Sequence, residues 1–274
     1  MPTAPKLVVV PLAITAGALA GAVAAAIPGL LRAYFGTSEV IVTIMMNYVL
    51  LYTANHLVNN VMSPDIISNK GVTKIVGTNG LLREPWLTNL FGGSRVNLGF
   101  VLALIFLGLV WFLMKRTTLG FEIRSVGINP FASEYAGMSS KRTIVISMII
   151  SGLLAGLGGV VQGLGTFGNY FVQGSSISIG FDGMAVSLLG NGGSVGILLS
   201  ALLFSILKLG GQGMQFAGVP SELANSVIPL IIFFVGINYV VRVALTKVRM
   251  AKKAEEKSEE VKMQTLKQEG VDLE

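Results

Sequence analysis

No cysteine occurs in the 274 residues of this chain, which removes disulfide frameworks and thiolate metal sites together. Histidine is nearly absent as well. His56 stands alone inside an apolar segment, and a metal site needs several converging ligands, so it reads as a packed or interfacial side chain. Charge is scarce: 12% of the residues are Asp, Glu, Lys or Arg, about half the ~25% of a soluble domain. Catalytic signatures are missing too. There is no GxxxxGK[ST] phosphate cradle, no HExxH, no serine nucleophile elbow and no pair of membrane carboxylates. The glycine runs 156–165 and 190–193 have apolar flanks and make poor dinucleotide loops. The chain therefore has no P-loop with which to hydrolyse ATP, and no cofactor is expected. So few intramembrane charges supply a proton- or ion-coupled carrier poorly.

What fills the chain instead is apolar. It is 52% hydrophobic with a mean hydropathy of +0.72, and several apolar runs approach the roughly 20 residues that cross a bilayer. The expected fold is all-α: a polytopic transmembrane helical bundle with broken or re-entrant helices. The net charge of +6 is carried mostly at the ends of apolar runs, where positive-inside topology puts it. No basic patch is interleaved with aromatics, so no nucleic-acid partner is expected. Membrane lipid is.

Spans are expected over about Leu7–Leu31, Val40–Val58 and Leu98–Met114, from about Thr143, and over Val195–Leu209 and Asn225–Val243. Pro11 and Pro28 fall near the ends of the first. Gly17-x-x-x-Gly21 and Gly152-x-x-x-Gly156 are small-residue faces for close helix packing. Glu39 lies near the membrane surface beside Arg32. Asn47 must find a partner inside lipid, as helix–helix glue or as part of a polar pathway. Residues 61–97 read as a long loop of turns rather than a separate domain. Trp86 and Phe91 are its interfacial aromatics.

Residues 163–194 are interrupted by glycine at every candidate helix. The apolar piece Met184–Leu189 is too short to span alone. Such segments mark broken helices that line a cavity, because irregular backbone cannot face lipid. Asp182 is the only acid between Glu134 and Glu222. It is either a cap for the helix that follows or a pathway group. After Arg242 the chain turns charged with mixed sign, a solvated helix or disordered end. This divides it into a transmembrane domain, 1–243, and a charged cytoplasmic tail, 244–274.

Between the third and fourth spans lies a polar island, Thr118–Arg142. At its centre is a short helix with explicit stops. Asn129 suits the N-cap, Pro130 the first helical position and Gly137 the residue past the end. Phe131, Tyr135 and Met138 fall at i, i+4 and i+7, one apolar stripe. A capped helix with an aromatic face, hung between membrane spans, looks like a plug for a partner protein.

Basic residues place both the island and the tail in the cytoplasm, so the number of crossings between them must be even. Residues 180–210 must then go in and come back, as a re-entrant hairpin or as two short crossings. Either version puts Asn191-Gly192-Gly193 at the deep end, with Asn191 a further pathway candidate. Counting backwards places the 61–97 loop and the N-terminus outside. The start MPTAPK lacks the charged region of a signal peptide, so further membrane segments are expected upstream.

Three stretches of this sequence resemble the permease subunits of ABC importers for simple sugars, nucleosides and branched-chain amino acids. They are Gly29–Gly36 running on to Glu39–Tyr48, Arg124–Met138, and Gly180–Gly190. The first looks most like the nucleoside type. The resemblance implies that the island carries a coupling helix: Gly127, Asn129, Pro130, Phe131, Ala132, Glu134, Tyr135, Ala136, Gly137 and Met138. It further implies a cytoplasmic ABC ATPase, a second permease subunit and an extracellular substrate-binding lipoprotein as partners. A sugar or branched-chain amino acid importer is the near alternative. A carrier or channel working without ATP has no need of the capped helix, and a scaffold has no reason to break its helices at 163–194.

Overall fold

The computed structural model describes residues 5–62, 65–69, 71–90, 92–93, 96–175 and 179–216, with the single positions 218, 226, 230 and 233. The last expected span, 225–243, and the tail 244–274 lie almost wholly outside them. The described residues divide between Ile177 and Ser178 into two units.

In the first unit, α1 (Lys6–Phe35) and α2 (Glu39–His56, prolonged by a π-turn over Leu57–Val61) come first. A two-stranded hairpin follows, β1 (Ile67–Asn69) with β2 (Val72–Thr73), then a short α3 (Pro85–Leu90). Next are α4 (Leu98–Arg116), α5 (Thr118–Ile128), α6 (Pro130–Tyr135) and α7 (Ser140–Val160), whose last turns over Val161–Phe167 are π. The second unit holds α8 (Ile179–Leu189) and α9 (Ser194–Phe216). Among the described residues, five helical stretches are long and apolar enough to cross a membrane: Lys6–Phe35, Glu39–Val61, Leu98–Arg116, Ser140–Phe167 and Ser194–Gly211. At 11 residues, α8 reaches only about 16 Å, short of the ~30 Å hydrocarbon layer.

The first unit is built on α1 against α7, antiparallel. Gly17 lies on Gly156 and Val160, Gly21 on Gly152 and Gly156, and Gly29 on Met148 and Val145. The two small-residue faces of the sequence are therefore partners of each other. A Cβ on Gly21 would overlap the Gly152 carbonyl oxygen and stand 2.9 Å from Gly156 Cα. Without a hydrophobic drive between helices in lipid, this backbone approach is what holds them. Pro28, near the end of the first span, is accommodated within α1. It is buried inside the helix, which stops only at Gly36 in the left-handed region (φ 65°).

Described residues of the 61–97 segment pack on the end of α7. The helix there leaves its final carbonyls without intrahelical donors. Leu82 N–H donates to Leu164 O (3.1 Å), Arg83 Nε donates to Gly165 O (3.0 Å), and an Arg83 terminal nitrogen donates to Thr166 O. A guanidinium at a helix C-terminus also meets the negative end of its dipole. Lys6, starting α1, pairs with Glu84 (2.7 Å) and donates to Arg83 O. Strand β2 is extended by the chain after α7. Thr73 N–H donates to Tyr170 O, and Val72 bridges Phe171. Trp86 is exposed, as an interfacial aromatic would be, and Phe91 lies outside the described residues.

In the second unit, α8 ends in a Schellman motif with Asn191 at the left-handed position (φ 51°). Gly192 N–H donates to Ser187 O and Asn191 N–H to Leu188 O, both at 3.1 Å. Asparagine tolerates that conformation better than most side chains. Gly190 and Gly196 touch backbone to backbone across the turn, so α8 and α9 form a tight hairpin.

Candidate functional site

The polar island folds into two short helices rather than one. Thr117 stops α4 and starts α5: its hydroxyl donates to Leu113 O (2.6 Å) and accepts from Gly120 N–H (3.1 Å). Helix α5 then runs until Asn129, which is extended (φ −153°, ψ 103°). The cause is Pro130, whose ring forbids helical geometry in the residue before it. Gly127 therefore belongs to α5 and not to the short helix that follows Asn129.

Helix α6 is capped at both ends as its residues dictate. Asn129 Oδ1 accepts from Phe131 N–H (3.0 Å) and Ala132 N–H (3.1 Å), and Pro130 takes the first position. At the other end Gly137 is left-handed (φ 84°). Its N–H donates to Glu134 O (2.9 Å), and Met138 N–H donates to Ser133 O (3.0 Å). Ala136, Gly137 and Met138 are thus the cap, not the helix. Ser133 is buried, and Ser140 Oγ donates to Pro130 O (2.8 Å), pinning α6 to the start of α7.

The face turned to solvent is aromatic. Phe131 is 75% exposed and Tyr135 95%. The stripe differs at its third member: Met138 is half-buried in the cap, while Ile128, ending α5, is 86% exposed. Ile128 lies outside the i, i+4, i+7 spacing of the stripe, on the preceding helix. Glu134 and Ala132 are exposed on the same short helix.

Of the three pathway candidates, Asn47 lies in the first unit and Asp182 and Asn191 in the second. Asn47 is exposed on α2 and is engaged in an interaction. Asn191 has the conformational role described above. Asp182, in the first turn of α8, forms an ion pair with Lys208 of α9. Lys208 is the only basic residue between Arg142 and Arg242, so the pair was legible as the lone acid and lone base of an apolar hairpin. Breaking it should cost about 1 kcal/mol, the upper range for pairs with one exposed member. Asp182→Asn and Lys208→Gln are each expected to lower the unfolding temperature in detergent, and the double variant to lower it no further than either single one. Additive losses would show that the two charges do not act on each other.

A second polar cluster lies at the hairpin end of the first unit. Asn55 donates to Gln173 O (2.8 Å) and accepts from Tyr170 OH (3.2 Å) and Gln173 N–H (3.3 Å). Burial pushes the Tyr170 phenol above its ordinary value. Among the described residues no three His, Asp or Glu side chains gather as a metal site requires.

The family model for the branched-chain amino acid transport system permease component matches residues 2–236. The chain belongs to this permease family. Among curated relatives, a nucleoside ABC transporter permease of Lactococcus lactis is 43% identical over 256 residues, covering 93% of this chain and 70% of the relative. A guanosine ABC transporter permease of Bacillus subtilis is 42% identical over 246 residues, 89% of this chain and 70% of the relative. A glucose ABC transporter permease of Haloferax volcanii is 29% identical, over 84% of this chain and 62% of the relative. No solved structure matches. The permease is a multi-pass protein of the cell membrane and a subunit of an ABC importer.

Proposed function

We propose that this permease subunit translocates nucleosides. The two relatives above 40% identity are named for a nucleoside and for guanosine, whereas the glucose permease stands at 29%. Energy comes from a separate ATPase in the cytoplasm, and α6 is the element it grips. The observation that carries this is the pair Phe131 and Tyr135, held out to solvent on a short helix capped at both ends. Large exposed aromatics on a rigid stub are anchors for a partner's cleft. An extracellular lipoprotein delivers the solute, and a second permease completes the pathway. Docking of α6 must differ between the nucleotide states, since equal contacts in both would shift nothing.

The test is uptake of labelled uridine, guanosine, ribose and leucine in a strain lacking the chromosomal importer, complemented by the full system. Uridine and guanosine are expected to accumulate, and ribose and leucine are not. Accumulation of ribose or leucine alone would move the assignment to a sugar or amino acid importer.

A further inference from the structure

We propose that Tyr48 and Tyr52 of α2 form a stacking site for the base of a nucleoside in transit, an assignment that rests on the nucleoside reading above. The two residues flank the midpoint of the helical stretch Glu39–Val61. Tyrosine in membrane proteins gathers at the two interfaces, where its hydroxyl is wet. At mid-span the hydroxyl loses that water, which is costly unless the surroundings are polar. A face with two such residues fits a pathway better than lipid.

The ring geometry points the same way. The centroids are 6.5 Å apart with planes inclined by 25°, so both rings present their faces in nearly one orientation. Tyr48 is 47% exposed and Tyr52 62%, leaving ring surface open to a third planar group. Stacking on aromatic side chains accepts any base, because every base has a π-face.

Charge narrows the occupant. From Val40 to Val61 there is no Asp, Glu, Lys or Arg. A phosphorylated ligand would need a cation there, and a cationic ligand an anion. The face suits a neutral planar solute, which a nucleoside is and a nucleotide is not. Helical spacing then carries the stripe onward. Asn55 and Asn59 lie seven and eleven positions beyond Tyr48, on the same side. Asn55 ties this side to Tyr170 and Gln173. The stripe thus runs from mid-span to the polar cluster at the hairpin end.

The experiment measures initial uptake of labelled guanosine and uridine, below saturation, by the whole importer carrying Tyr48→Leu, Tyr52→Leu, or the Phe and Trp replacements. Losing a base–aromatic stack is expected to reduce uptake by between about 5- and 150-fold for each Leu variant. Guanosine should fall further than uridine, having more ring to stack. Phe and Trp should stay close to wild type. Leu variants that transport at wild-type rates would overturn the site, as would Phe variants as poor as Leu. Leu variants that no longer co-purify with the ATPase and second permease would also overturn it, and assign the face to contact between permeases. A wild-type importer that takes up neither nucleoside would instead defeat the functional reading itself, and the site with it.

Discussion

Replacing Phe131 and Tyr135 together by serine is expected to cut uptake at least about 30-fold, the cost of one interfacial hot spot, while the protein stays in the membrane. Both rings stand almost free of their own subunit, so removing them sacrifices little internal packing. The caps at Asn129 and Gly137 do not involve either side chain, so α6 itself should persist. What is lost is the grip proposed above for the ATPase. In reconstituted vesicles, hydrolysis of ATP should continue without matching solute accumulation. Normal uptake by the double variant would show that α6 is not where the two subunits couple. Ile128→Ser, on the neighbouring helix end, is expected to act in the same direction with a smaller effect.

The second large effect is expected at the α1–α7 seam. Gly21→Leu or Gly156→Leu should cost more than the ~1–3 kcal/mol of ordinary overpacking. The reason is the identity of the atoms in the way. They are backbone carbonyl oxygens and Cα atoms of the facing helix, which cannot rotate aside as a side chain can. The helices must part along their whole contact. Gly158 and Gly159 supply the control, since a Cβ on either meets nothing within 4 Å. Leucine at those two positions should be accepted, with a monodisperse elution profile and near-normal unfolding temperature in detergent. If Gly21→Leu behaves like Gly159→Leu, the seam is not what holds the unit together.

The parts of this fold that were legible in the sequence are those fixed by local chemistry. Asn129, Pro130 and Gly137 announce helix ends because each acts on its own backbone within a turn. The Gly17/Gly21 and Gly152/Gly156 pairs announce close packing for the same reason. Their partnership was not legible: small-residue spacing says which face is thin, not which helix it meets. Arg83 was hidden for a different reason. The carbonyls it binds at Gly165 and Thr166 belong to the backbone, and no side-chain pattern marks a carbonyl as orphaned. The π-turns ending α2 and α7 were likewise unreadable, and the first carried its helix from the expected Val58 to Val61. At α6 the cap chemistry was read correctly, but the stripe was extended through Gly137. A left-handed residue turns the chain, so Met138 could not stay on the face of Phe131 and Tyr135. The ion pair of Asp182 with Lys208 could have been inferred from scarcity alone.

The seam between α1 and α7 also governs how displacement travels. Two helices separated by long side chains can roll and slide, because rotamers absorb the motion. Where backbone rests on backbone, nothing between them can yield. Lys141 at the start of α7 sits 5.7 Å from the ring of Tyr34 at the end of α1, and Lys6 and Arg83 bind the opposite ends into the hairpin segment. The pair therefore moves as one stiff rod. With α6 pinned to one end through Ser140 and Pro130, a displacement there has a continuous helical path along α7 to Leu164–Thr166, where Leu82 and Arg83 bind its last carbonyls.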